Sequence, residues 1–287
     1  MKLENERYEV TFTTKGGEIQ SFTDKQTGIQ YMWQGDDMYW SGKNPSLFPI
    51  VGNTYTKDYK INGKIYAMKN HGLIRYADLQ VKQVNKDSLV MELNSNEQTL
   101  LQYPFPFHYE IMYRLVNDTL TITYHITNTG NEEMPFTFGL HPGFRCPLCE
   151  DESFEDYQIQ FSQPEYMQQL VFDKEFKKPY QLENRHLQTI PCDYALFEQY
   201  ATVIYKHPKS THVTLKGRKG YGVEISIVGY PYFAIWTPKR NAPFICLEPW
   251  YGHADFSNLD VAFQNREGMM ELSPGKTFTT SYTIRVF

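Results

Sequence analysis

The sequence predicts an all-β protein, a large antiparallel β-sandwich, on three observations: apolar residues that alternate with period two, turn signals at short intervals, and little helical periodicity. In chain order, residues 8–13 form the first strand candidate, and Lys15-Gly16-Gly17 supplies the turn after it. Ile61-Asn62-Gly63 marks a second turn, and residues 89–93 a further strand. Residues 97–103 are the one short helix candidate, stopped by Pro104 and Pro106. A hairpin follows. Tyr109, Ile111, Tyr113 and Leu115 share one face, Leu120, Ile122, Tyr124 and Ile126 another, and Asn117-Asp118 lies between them. Asn128-Thr129-Gly130-Asn131 is the next turn, residues 212–216 and 223–228 are shorter strands, and Phe278, Thr280, Tyr282, Ile284 and Val286 pattern the last one.

A chain of 287 residues buries enough surface to need no disulfide or metal. No linker, repeat or low-complexity stretch divides it, so residues 1–287 are expected to form a single domain. Aromatic residues reach 16%, which suits strands and also the flat, half-polar surfaces on which sugar rings stack. Net charge is −5 with both signs interspersed, against a nucleic-acid partner. The densest basic stretch, from Lys206 to Lys219, is read as a solvated strand and turn before it is read as an anion site. The opening MKLENERYEV has no apolar core of a secretory signal, and no apolar run is long enough for a membrane span. A cytoplasmic protein is therefore expected, with its four cysteines as reduced thiols.

Four segments break the alternation and concentrate Gly, Pro, His and acid: residues 44–53 (NPSLFPIVGN), 70–75 (NHGLIR), 139–145 (GLHPGFR) and 246–255 (CLEPWYGHAD). In an all-β scaffold such strand ends and loops carry function. His141 stands between Leu140 and Pro142, where proline stops a strand; alone, it reads first as a buried imidazole on a backbone carbonyl. Glu248 follows an apolar run and precedes Pro249; alone, it reads first as an ion-pair partner of Arg75 or Arg145. Partly desolvated, that carboxylate would become a stronger base. His71 repeats the strand-end pattern, and two histidines with an acid suit proton transfer between sugar oxygens.

The segments NPSLFPIVGN, NHGLIRYADLQV, GLHPGFRCPL and ICLEPWYGHADF, with the closing Leu272-Ser273-Pro274-Gly275 turn, resemble the aldose 1-epimerase (galactose mutarotase) superfamily, most closely its LacX-like branch. The resemblance covers nearly the whole chain and implies a galactose mutarotase-like supersandwich with an open sugar cleft. By matching positions it implies His141 as general acid, Glu248 as general base, His71 as a sugar-binding histidine and Arg75 as the arginine of a recurrent His-Gly-x-x-Arg pattern, shared with the hexose-6-phosphate mutarotases. Two positions depart from the family pattern. Asn53 stands where members often carry a sugar-binding Arg, and Ala201 where many carry Asp. Asn donates hydrogen bonds but has no charge and less reach.

The implied reaction is interconversion of α and β anomers of a hexose or hexose phosphate, without a cofactor. A base takes the C1 hydroxyl proton while an acid protonates the ring oxygen; the ring opens, C1 rotates and the ring recloses. Trp236, Trp250 or Tyr251 could stack on the sugar face, although each alone reads first as a core residue. The alternative is a sugar-binding or regulatory protein on the same scaffold without turnover. A glycoside hydrolase ranks third, because only one carboxylate presents itself where two are needed. Cys146-Pro147-Leu148-Cys149 near His141 raises zinc, but Cys192 and Cys246 are isolated in sequence and no metal set is expected. Gly217–Gly222 lies between strand candidates and reads as a hairpin turn. The sequence carries no signal for the oligomeric state.

Overall fold

The computed structural model describes residues 1–238, 240–258 and 261–287. Among the described residues one antiparallel sheet of fifteen strands dominates. It runs from Ser46–Leu47 through Phe138–Leu140, Phe244–Tyr251, Tyr232–Trp236, Thr202–Lys206 and Tyr157–Val171, and then through His212–Gly217 and Gly222–Ser226. Thr277–Val286, Thr119–Asn128, Phe107–Val116, Ser88–Asn94 and Gln80–Val84 complete the path. Its two ends fold over each other. The Tyr109 hydroxyl and Ser46 Oγ are 2.6 Å apart, and the Tyr124 and Phe138 rings meet at 5.0 Å, although their strands lie far apart along the sheet. That closure makes the expected sandwich.

The expected hairpin forms with Tyr109 opposite Ile126 and Val116 opposite Thr119. Asn117 takes the left-handed conformation that a two-residue hairpin turn requires. Thr277–Val286 pairs along the far side of Thr119–Asn128, so three alternating strands lie side by side. Their apolar faces meet the returning half of the sheet, and Phe107 on one side and Phe138 on the other are fully buried between them. Each such side chain contributes roughly 1.5–3 kcal/mol. The buried tyrosines keep their polar ends satisfied: Tyr103 donates to the Pro135 carbonyl at 2.9 Å and Tyr113 to the Gly17 carbonyl at 2.5 Å.

The short helix spans Glu97–Gln102, with the Asn96 side chain accepting from the Gln98 and Thr99 amides at 3.0 and 3.1 Å. Two expectations shift. The strand expected over residues 223–228 is Gly222–Ser226, and Val228 is exposed beyond its end. A second helix, Tyr194–Tyr200, was not expected; the Asp193 side chain caps it by accepting from the Ala195 amide at 2.8 Å, Tyr194 and Phe197 form its buried face, and Tyr194 stacks on Phe154 at 4.1 Å and donates to the Ala242 carbonyl at 2.8 Å. The basic stretch from Lys206 is matched by acids: Lys206 with Glu267, His212 with Glu224, Arg218 with Asp156 and Lys219 with Asp151. Among the described residues no helix is long and apolar enough to cross a membrane.

Candidate active site

Strand Phe244–Tyr251 builds the site, because it is covered on both faces. Ile245 and Leu247 enter the core between the sheet halves, while Phe244, Cys246, Glu248 and Trp250 point to the outer face. Loops close over that face, which is why the strand reads as an unbroken buried run.

His141 reaches Glu248 through the register of the sheet. Phe138–Leu140 and Gly143–Arg145 both pair with Phe244–Tyr251, with Gly139 opposite Trp250 and Gly143 opposite Cys246. His141 and Pro142 fill the break between these two short strands, so His141 falls opposite Glu248. Its amide donates to the Pro45 carbonyl at 3.1 Å, and the Leu247 amide reaches the Pro142 carbonyl at 3.2 Å. Gly139 leaves the space that Trp250 occupies: a Cβ there would lie 2.7 Å from the indole Cδ1. The result is His141 Nε2 at 3.3 Å from Glu248 Oε2, with both residues buried.

His71 arrives on a separate loop that docks on the segment 44–53. Its amide donates to the Gly52 carbonyl at 2.8 Å, and the Gly52 amide donates to His71 Nδ1 at 3.0 Å. Nδ1 is thereby the acceptor, and the ring proton sits on Nε2. His71 holds φ +66°, an uncommon conformation for a residue with a side chain. Gly72 follows at φ +78°, where a Cβ would stand 2.3 Å from the Phe48 carbonyl oxygen. The close backbone pairing of Phe48 with Gly72 sets the His71 ring 5.4 Å from that of His141, edge to face.

Around the three lies a cavity of about 450 Å³, lined also by Trp40, Asn70, Arg75, Tyr76, Thr202, Trp236 and Trp250. Its volume is in the range of small-molecule sites. Trp40 and Trp236 pack on the His141 ring at 4.7 and 5.3 Å. The site is desolvated and short of partners. His141 Nδ1, both Glu248 carboxylate oxygens and Trp250 Nε1 are buried without a hydrogen-bond partner among the described residues. Such atoms are costly unless a ligand meets them. Burial holds the Glu248 carboxyl well above its usual range, with the Trp250 indole and the charge of Arg75 opposing. Burial likewise keeps His141 neutral, aided by His71 and Arg75, and lowers His71 to about 3. Arg75 has no carboxylate partner among the described residues; its guanidinium rests 5.2 Å from the Tyr76 ring centre. Arg75 and Tyr76 also border a second cavity of about 330 Å³ that holds Lys15, Lys43 and Glu18.

The structure thus brings His141, Glu248, His71, Arg75 and Trp236 to one cavity. The arginine partner for Glu248 that the sequence offered is not there: the carboxyl faces the neutral His141 imidazole instead. Asn53 stands apart from the cavity lining, and its carbonyl accepts from the Asp255 amide and from Arg266. Ala201 ends the helix Tyr194–Tyr200 at φ +59°, and the next residue, Thr202, reaches the cavity instead. Tyr251 points to the core, 4.7 Å from Tyr230 and 5.3 Å from Phe278, so it cannot face a sugar. Sequence reasoning missed Trp40, Asn70, Tyr76 and Thr202. The tryptophans Trp33 and Trp40 in one loop with Gly35 and Gly42 were a signal for the first, since an aromatic pair in a loop needs a packing partner. Cys246, isolated in sequence, lies in space with ligand atoms of His141 and Glu248 in one group, all within 4.8 Å of one another. A second such group, Glu92, His108 and Glu110, is bridged by Lys82 at 3.2 and 2.8 Å from its two carboxylates.

The family model described as Aldose 1-epimerase matches residues 1–285. The chain is 31% identical to the chromosomal Protein LacX of Lactococcus lactis subsp. lactis, covering 100% of this chain and 99% of that protein. Among solved structures it resembles a galactose mutarotase related enzyme from Lactobacillus acidophilus, with a TM-score of 0.92 and 29% identity over 100% of this chain and 97% of that one. A galactose mutarotase-like protein from Lactobacillus casei gives a TM-score of 0.93 at 26% identity, over 100% and 99% of the two chains.

Proposed function

The chain belongs to the aldose 1-epimerase family, and from that premise we propose that it interconverts the α and β anomers of a hexose or hexose phosphate. One observation carries the reading: a buried acid–base pair, 3.3 Å apart and otherwise unpartnered, at the floor of a sugar-sized cavity. The two oxygens of a hemiacetal are bonded to one carbon, so the groups that serve them must be neighbours. In the empty pocket the pair's one proton rests on Glu248; with the sugar bound it passes to His141, which supplies it to the ring oxygen while the Glu248 carboxylate, its basicity raised by burial, takes the C1 hydroxyl proton. The aldehyde recloses from its other face with the roles exchanged. Each group contributes ~10²–10⁴-fold.

His71 donates through Nε2 and carries no charge, so it holds a sugar oxygen without competing for the transferred proton. Trp40 and Trp236 give the sugar an apolar wall. Arg75 stands between this cavity and the one with Lys15 and Lys43, a place where a charged substituent on the sugar would be met. No cofactor enters these steps, and the site is read as part of one domain in a cytoplasmic protein.

The departures at Asn53 and Ala201 favour a second reading, a sugar-binding protein without turnover. Anomer exchange followed by polarimetry or saturation-transfer NMR, on free and phosphorylated aldohexoses, separates the two. Catalysis above the spontaneous rate on at least one sugar is expected. Saturable binding with no acceleration on any of them would support the second reading and overturn the first.

A further inference from the structure

Cys246 has no part in the proton transfers, yet it sits two residues before Glu248 on the same strand and face, opposite Gly143. We propose that His141, Glu248 and Cys246 form a chelating site for a zinc-class divalent cation, and that its occupancy blocks sugar turnover. The blocking half rests on His141 and Glu248 being the acid–base pair; the binding half does not.

The geometry fits that ion class. Zinc holds imidazole nitrogen and carboxylate oxygen at about 2.0–2.2 Å, so two such ligands on one tetrahedral centre stand about 3.4 Å apart. His141 Nε2 and Glu248 Oε2 are 3.3 Å apart. The Cys246 sulfur joins them within 4.8 Å, a distance that a small side-chain movement shortens to a tetrahedral edge. Nitrogen, sulfur and carboxylate together select zinc-like ions over magnesium or calcium, which take oxygen ligands. Three protein ligands leave a fourth coordination position free, as in open zinc sites. The ligand atoms are also available: both carboxylate oxygens of Glu248 lack a partner among the described residues, and Glu248 is fully buried. A cation would satisfy them and offset their desolvation.

Binding replaces the Cys246 S–H proton and the Glu248 carboxyl proton by metal–sulfur and metal–oxygen bonds and releases both protons to solvent. It also engages the Glu248 and His141 lone pairs that proton transfer needs, so metal and sugar chemistry exclude each other. Cys146, Cys149 and Cys192 belong to none of the metal-type groups among the described residues.

Titration of the full-length protein with Co²⁺ tests the site without any enzymatic readout. One Co²⁺ per chain is expected, with a near-ultraviolet thiolate-to-cobalt band that Zn²⁺ displaces. Cys246→Ala and Cys246→Ser should each remove the band and weaken Zn²⁺ binding at least tenfold against a chromophoric chelator. A band that persists in both variants, or no stoichiometric cobalt in the wild type, overturns the site. In the anomer-exchange assay, Zn²⁺ should inhibit the wild type reversibly, and each variant should need at least tenfold more for half-inhibition of its own rate. Turnover at full rate with the site loaded overturns the blocking role. A protein with no mutarotase activity that still shows the Cys246-dependent band would fail the functional reading and keep the metal site.

Discussion

His141 and Glu248 face each other at 3.3 Å, and the carboxylate oxygens have no other partner among the described residues, so they should act as one unit. Glu248→Gln keeps the side-chain volume and removes the base; His141→Asn removes the acid. Each single change is expected to slow anomer exchange ~10²–10⁴-fold, which corresponds to about 3–5 kcal/mol of barrier at 1.36 kcal/mol per tenfold. Once one partner is gone, the other has nothing with which to exchange a proton across the substrate. The double variant should therefore be no slower than the worse single one, with a coupling nearly as large as a single effect. The assay is polarimetric progress from a pure anomer, corrected for spontaneous mutarotation, with sugar binding measured separately by calorimetry. Binding should survive in all three variants within about tenfold, or 1.4 kcal/mol. If the losses multiply in the double variant, or if either single variant keeps the wild-type rate, the concerted pair is the wrong description.

Two further outcomes follow from the same geometry. Gly72→Ala should cost at least about 1–2 kcal/mol from the left-handed backbone alone, and more because its Cβ meets the Phe48 carbonyl at 2.3 Å; urea melts at wild-type stability would refute the required close approach. The folded protein holds the Glu248 proton well above the usual carboxylate range, so over that window it binds a proton that the unfolded chain has lost. Wild-type stability then falls as pH rises through it, and Glu248→Gln should melt higher than wild type at pH 8, with the gain shrinking toward pH 4; a difference that does not change with pH would show that the carboxyl is not held protonated.

Much of this protein was legible in its sequence wherever a local signal was strong. Period-two alternation over residues 109–126 and 278–286 fixed three adjacent strands, because a one-residue slip would turn every apolar side chain outward. Gly, Pro and His at strand ends located the loops that carry His71 and His141. The helix Tyr194–Tyr200 escaped although its signals are local, an Asp193 cap and a Tyr194–Phe197 apolar face, because two turns are too short for the helical period to stand out. Asn53 was drawn toward the site by alignment to a family position, but the backbone spends its carbonyl on Asp255 and Arg266 outside the cavity lining.

By itself the sequence determined the β-architecture and the residue types available for proton transfer, since periodicity and chemistry are local properties. Tertiary structure alone decided which of those residues meet. Pairing Phe138–Leu140 and Gly143–Arg145 on the same strand sets His141 against Glu248, and side-chain alternation along Phe244–Tyr251 adds Cys246 while turning Tyr251 away. The physical reason is register: residues a hundred positions apart become neighbours only when the sheet fixes which rung of the ladder each one occupies.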